Sequence, residues 1–226
     1  MNALTRVMYA GLAKGLNDAA GDFGIRTVIL SSEGDHFTAG NDIVDFMDNP
    51  PTSDSSEVAQ FLAALLNFPK PLIAAVKGNA VGVGTTMLLH CDVVVASPSA
   101  TFSMPFASLG LVPEAGSSFL FPALVGYQRA AKIFFTGESF GADTALEMGL
   151  IAEINSDALA SATKIAQHIA EQPPQAIINT KALLKARNHE SVAAVMKAEF
   201  EIFAMALQSD EAMEAFMKFM AKKGKS

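Results

Sequence analysis

Apolar side chains at Leu4, Met8, Leu12 and Leu16 recur every four residues, a spacing that predicts an amphipathic helix with one face on a core. Gly21 and Gly24 then punctuate the chain, and Thr27 to Leu30 reads as a short buried strand. Ser31 to Gly40 is a polar, glycine-containing loop, and Asn49 to Ser56, with its Pro-Pro pair, is a second loop. Val58 to Asn67 reads as a helix that stops ahead of Pro69 and Pro71, because a residue before proline is steered away from helical backbone. Leu72 to Val76, Val93 to Ala96 and Thr101 to Met104 read as strands. Between the first two, the run Gly78 to Gly84 reads as a turn opening onto a helix from Thr85 to His90. Helices follow near Ser117 to Val125, Tyr127 to Phe135 and Ala142 to Met148. From Ser156 the pattern is helical to the end, broken only at Pro173-Pro174. Strands and helices that interleave early and give way to helices predict an α/β core over 1–155 and a helical extension over 156–226.

Composition narrows the function classes. Half of the 226 residues are hydrophobic, enough for one sizeable core, and the net charge of -7 leaves no electrostatic footprint for nucleic acid. The basic group Lys218, Lys222, Lys223 and Lys225 reads as a solvated helix end. Cys91 is the single cysteine, so no internal disulfide can form and a reducing compartment is expected. Its place after Met87, Leu88 and Leu89 predicts an inert, buried thiol rather than a reactive one. The first ten residues lack a signal-peptide core. The most apolar window, Leu72 to Val95, contains Lys77, His90, Asp92 and three glycines, which argues against a membrane span. A cytoplasmic protein is expected.

Several motifs fail on spacing. A dinucleotide loop built on Gly82-Val83-Gly84 would need a glycine where Met87 stands. Phe219 occupies the first-glycine position that the terminal Gly-Lys-Ser would require for a phosphate loop. His36, His90, His168 and His189 are scattered, so no metal site is expected. More informative are two glycine segments that follow strands, Phe37-Thr38-Ala39-Gly40-Asn41-Asp42 and Gly82-Val83-Gly84. Each can expose backbone N–H groups, and two convergent donors stabilise an oxygen that gains charge during a reaction. From spacing alone, two ordinary tight turns remain the alternative.

These pieces, in this order, resemble the crotonase superfamily, the enoyl-CoA hydratases and isomerases. The resemblance runs through Asn2-Ala3-Leu4, Phe37 to Asp42, Lys70 to Val76, Gly78 to Gly84, Cys91-Asp92, Phe102, Leu109-Gly110, Pro113, Phe135 to Glu138 and Ala145 to Ile151. It implies a spiral of ββα turns with C-terminal helices that drive trimer or hexamer formation and close the pocket. It also implies an acyl-coenzyme A substrate, with coenzyme A as part of that substrate and no separate cofactor. The oxyanion hole of the family maps onto the N–H groups of Ala39 and Val83, with Thr38, Gly40, Asn41 and Asp42 lining the thioester path. The two glutamates of family hydratases map onto Thr86 and Phe106, neither of which can carry a proton at neutral pH.

The stretch Pro105 to Gly110, together with Pro113-Glu114-Ala115-Gly116-Ser117-Ser118 and Phe119 to Pro122, resembles the isomerase branch that moves a double bond from C3 to C2. That resemblance makes Glu114 the catalytic base and puts Phe106 in the substrate site, where it would dry it. Without the resemblance, Glu114 reads as a carboxylate favoured at a helix start. Other crotonase-type reactions, hydration included, and a non-catalytic acyl-CoA-binding scaffold are the competing readings. The match begins inside the usual family pattern, downstream of a strand hairpin whose basic segment helps to bind the coenzyme A phosphates.

Overall fold

A computed structural model of the chain describes residues 2–51, 53 and 55–223. Thr52 and Asp54 of the Pro-Pro loop, Lys225 of the basic tail and the side chains of Lys222 and Lys223 lie outside the described residues. Two sheets organise the core. The larger is parallel, in the order β1 (Val28–Leu30), β2 (Leu72–Val76), β4 (Val93–Ala96) and β7 (Glu153–Ile154). The smaller joins β3 (Asn79–Val81), β5 (Thr101–Ser103) and β6 (Phe140–Gly141). All five residues of β2 are buried, as expected for a parallel strand covered on both faces. Its side chains alternate between two cores: Leu72, Ala74 and Val76 join the main cluster, while Ile73 and Ala75 pack with Ala158, Ala162 and Ala166. Those alanines belong to α8 (Ala158–Ala170), so the first helix after position 156 covers the sheet and belongs to the core layer.

The first helix, α1 (Arg6–Gly21), is capped by Thr5, whose hydroxyl accepts from Met8 N–H. Its buried face is Tyr9, Ala13, Leu16 and Ala19 rather than the expected stripe of Leu4, Met8, Leu12 and Leu16. Leu4 precedes the helix and bridges to Asn41, Met8 is exposed and Leu12 is half-buried. The face is rotated because the Tyr9 ring packs at a tilt of 57° against Phe61 of α3 (Glu57–Asn67), with ring centroids 5.6 Å apart. A short helix that the periodicity does not show, α2 (Ile43–Asp48), is started by Asp42, which caps Val44 and Asp45 N–H. The helix expected from Thr85 begins earlier and tightens: α4 (Val83–Thr86) runs into a 3-10 turn over Met87–His90. The Gly78–Gly84 run, expected as a turn, contains β3.

The middle of the chain forms α5 (Ser117–Val125), α6 (Tyr127–Thr136) and α7 (Ala142–Glu147). The C-terminal region continues with α9 (Pro174–Ala186), α10 (His189–Leu207) and α11 (Asp210–Lys223). Lys181 of α9 ties this region to the sheet: its buried Nζ donates to Lys70 O at 2.6 Å and pairs with Asp92 at 2.7 Å. Asp92 in turn accepts from Leu72 N–H at 2.7 Å. Among the described residues no helix is long and apolar enough to cross a membrane, and no group of three or more His, Cys, Asp or Glu could hold a metal ion.

Candidate active site

The two glycine segments meet. Thr38 bridges to Ala80 in parallel, with Thr38 N–H donating to Asn79 O and Val81 N–H donating to Thr38 O. A Cβ on Gly40 would lie 2.9 Å from Val81 O, and a Cβ on Gly84 would collide with the Thr38 methyl. Glycine is therefore required for the backbones to approach this closely. Thr38 is itself a strut: its hydroxyl donates to Asn2 O at 2.5 Å and accepts from Gly40 N–H at 3.1 Å. Among the described residues neither Ala39 N–H nor Val83 N–H has an acceptor. Val83 opens the first turn of α4, where N–H groups have no partner within the helix.

The remaining residues of the first segment play distinct parts. Asn41 Oδ1 accepts from the Tyr9 hydroxyl, and Asp42 is occupied as the cap of α2. Burial, and then the nearby Glu114 charge, hold the Tyr9 hydroxyl well above its usual pKa. Neither Phe106, which is buried in the main core, nor any of Thr38 to Asp42 and Val83 is among the residues lining the cavity that holds Glu114.

Glu114 is 6% exposed, and its Oε1 has no hydrogen-bond partner among the described residues. It opens on a cavity of about 220 Å³ between α3 and α10, lined by Leu62, Ala63, Met196, Phe200 and Phe203 among others. Loss of water in this apolar setting pushes its pKa up to about 8, helped by the charge of Glu199 and opposed by the nearby Thr86 hydroxyl. Thr86, fully buried, thus stands beside Glu114 where family hydratases carry an acid.

The backbone that aims Glu114 is unusual. Ala115 (φ +60°) and Gly116 (φ +71°) are both left-handed, and a non-glycine residue there costs about 1–2 kcal/mol. Two groups invisible to the sequence reading hold this turn. Buried His90 contacts Ala115 O through Nε2 at 2.7 Å, and burial pulls its pKa down to about 4, so it is neutral and donates. Glu199 of α10 accepts from Gly116 and Ser118 N–H at the start of α5. Cys91 next door is inert: burial, then the Asp92 charge, push its thiol up to about 12.

Parallel strands wound with helices, two interlocked glycine segments with free amides, and a buried carboxyl with an unpartnered oxygen on an apolar cavity define the crotonase class, and the chain belongs to the enoyl-CoA hydratase/isomerase family, whose pattern matches residues 1–225. Enoyl-CoA delta isomerase 2 of Homo sapiens is 33% identical over 99% of this chain, and the chain spans 59% of that protein's length. A probable enoyl-CoA hydratase of Bacillus subtilis is 30% identical over 98% of this chain and 89% of its own. The crystal structure of an enoyl-CoA hydratase/isomerase from Pseudoalteromonas atlantica superposes with a TM-score of 0.93 at 43% identity, covering 97% of this chain and 88% of that one.

Proposed function

We propose that the protein is an acyl-CoA isomerase that moves a double bond of an enoyl-CoA from C3 to C2, as an auxiliary step of fatty acid oxidation. The observation that carries this reading is the buried carboxyl of Glu114, whose Oε1 is unpartnered on an apolar cavity, with a threonine, Thr86, where a second acid would stand, and with both oxygens of the other buried carboxyl there, Glu199, taken up by backbone N–H groups. Hydration needs one group to activate water and another to protonate carbon. A shift of the double bond needs only one: Glu114, ionised, takes a proton from C2 and returns it to C4. Between the two transfers the negative charge lies on the thioester oxygen. There the Ala39 and Val83 amides donate, and fixed donors of this kind lower the barrier to forming the dienolate. A pKa near 8 makes Glu114 a stronger base than an exposed carboxylate.

Thr38, Gly40, Asn41 and Asp42 serve this site by shaping the amide segment. The reaction draws on no cofactor beyond the coenzyme A of the substrate. Within residues 156–226, the helices that follow the sheet-covering α8 act as the pocket-closing and assembly region of a homotrimer or hexamer, a reading supported by exposed apolar side chains on α10 and α11 such as Ile202, Met205, Met213 and Met217. The name of the human relative agrees with the isomerase reading, whereas that of the Bacillus subtilis relative would put water addition first. Initial rates with a 3-enoyl-CoA and with crotonyl-CoA in the same preparation decide between them. Isomerisation is expected to dominate, and hydration at a comparable rate would overturn the single-carboxylate reading.

A further inference from the structure

We infer that Glu199 is a positioning residue for this site: from α10 its carboxylate grips the turn that aims Glu114 and keeps a second negative charge against the Glu114 carboxyl. The inference rests on the reading of Glu114 as the base. Glu199 is buried, 6% exposed, and spends both oxygens on the turn: Oε2 accepts from Gly116 N–H at 2.6 Å and Oε1 from Ser118 N–H at 2.8 Å. Among the described residues no cation pairs with it within 4 Å. The N-cap of α5 is Gly116, which has no side chain to satisfy the first amides of the helix. A carboxylate from a helix more than eighty residues downstream takes that place, where the helix dipole also favours a negative charge.

The same face of α10 presses on the turn. A Cβ on Gly116 would meet Val192 Cγ1 at 2.9 Å and Met196 Cγ at 3.2 Å, so Val192, Met196 and Glu199 form one stripe against it. Left-handed Ala115 needs such support, since its conformation is costly in isolation. The result is a pair of buried carboxyls on one apolar cavity: burial raises the pKa of Glu199, the Gly116 and Ser118 amides oppose that by holding its anion, and Glu114 keeps a free oxygen toward the cavity. Like charges at close range oppose each other's ionisation, so the fixed one strengthens the free one as a base. The other groups that bear on Glu114 are the Tyr9 hydroxyl from α1 and the Thr86 hydroxyl from α4. Neutral His90 lies behind Ala115 O, and Lys197 of α10 lines the cavity but is exposed.

The test follows both carboxyls by carbon-13 NMR titration of glutamate-labelled protein, in the wild type, Glu199→Gln and Glu114→Gln, alongside kcat and KM for a 3-enoyl-CoA. In Glu199→Gln the Glu114 midpoint is expected to fall by about one pH unit or more, and kcat by about tenfold or more, with KM changed much less. The wild type supplies a second test if Glu199→Gln does not fold: Glu199 must ionise at lower pH than Glu114, because only an anion at 199 can oppose the charge forming on 114. A Glu114 midpoint that stays put in folded Glu199→Gln overturns the inference, even if activity drops, because a merely structural role loses rate without moving the midpoint. So does a wild-type Glu199 that titrates at higher pH than Glu114. Failure of the underlying reading looks different: Glu114→Gln would then isomerise normally, whatever the midpoints do.

Discussion

Glu114→Gln exchanges a carboxyl whose pKa is pushed up to about 8 for a neutral group of the same shape, and thereby removes a stability cost that grows with pH. In the unfolded chain this residue ionises at its ordinary value of 4.5, whereas the folded cavity retains the proton until about pH 8. Between those values the folded state binds more protons than the unfolded one, so stability falls as pH rises and levels off only once the folded group has ionised. At roughly 1.4 kcal/mol per pH unit, the wild type gives up about 4 kcal/mol between pH 5 and pH 9 on account of this one residue. Water entering the cavity mouth softens the charge, so about 2–4 kcal/mol is the expected range. The glutamine variant escapes this loss. Urea unfolding of both proteins at pH 5, 7 and 9, at one protein concentration so that assembly contributes equally, measures it. The difference in unfolding free energy should move in favour of the variant by that amount as pH rises. A difference that stays flat from pH 5 to pH 9 would refute the claim that the folded site holds Glu114 protonated.

The same titration governs rate: kcat/KM for a 3-enoyl-CoA is expected to rise with pH and reach half of its plateau near pH 8, because the free enzyme must have Glu114 ionised. A profile flat from pH 6 to pH 9 would contradict this. Gly84→Ala drives a Cβ into the Thr38 methyl and forces the two amide segments apart, so kcat should fall by about 10–100-fold with acyl-CoA binding less affected; stopped-flow binding with steady-state kinetics separates the two. Lys181→Met strips the buried partner from Asp92 and is expected to cost about 2–4 kcal/mol in urea unfolding, whereas a loss under about 0.5 kcal/mol would deny that pair a structural role.

Much of the architecture was readable because burial and pattern coincide. Strand β2 is an unbroken apolar run and is covered on both faces; α3 is bounded by Ser56 at its start and prolines at its end. Reading failed where contact geometry overrides periodicity. Met8 and Leu12 outrank Tyr9 and Ala13 in hydrophobicity, yet the aromatic contact with Phe61 sets the buried face of α1. The two-residue strands β6 and β7 carry too few side chains for any alternation to register. Within the site, the amide segments and Glu114 were found through motif order, since a free N–H leaves no mark in composition. Glu199 was missed because it stands between Lys197 and Glu201 and reads as one more solvated helix position. A signal was present: Val192, Met196, Glu199 and Phe203 share one helical stripe, and a lone acid on an apolar stripe requires a buried partner. That the partner is the turn beside Glu114 depends on long-range packing that no local pattern encodes.

The central claim is that one carboxyl performs both proton transfers, and the most direct measurement is turnover of a 3-enoyl-CoA by Glu114→Gln set against its affinity for the same ligand. With the oxyanion amides and the apolar cavity untouched, Kd should stay within about threefold of the wild type while kcat drops by about a thousandfold or more. Turnover near the wild-type rate would place the proton transfers on another group and remove Glu114 from the chemistry.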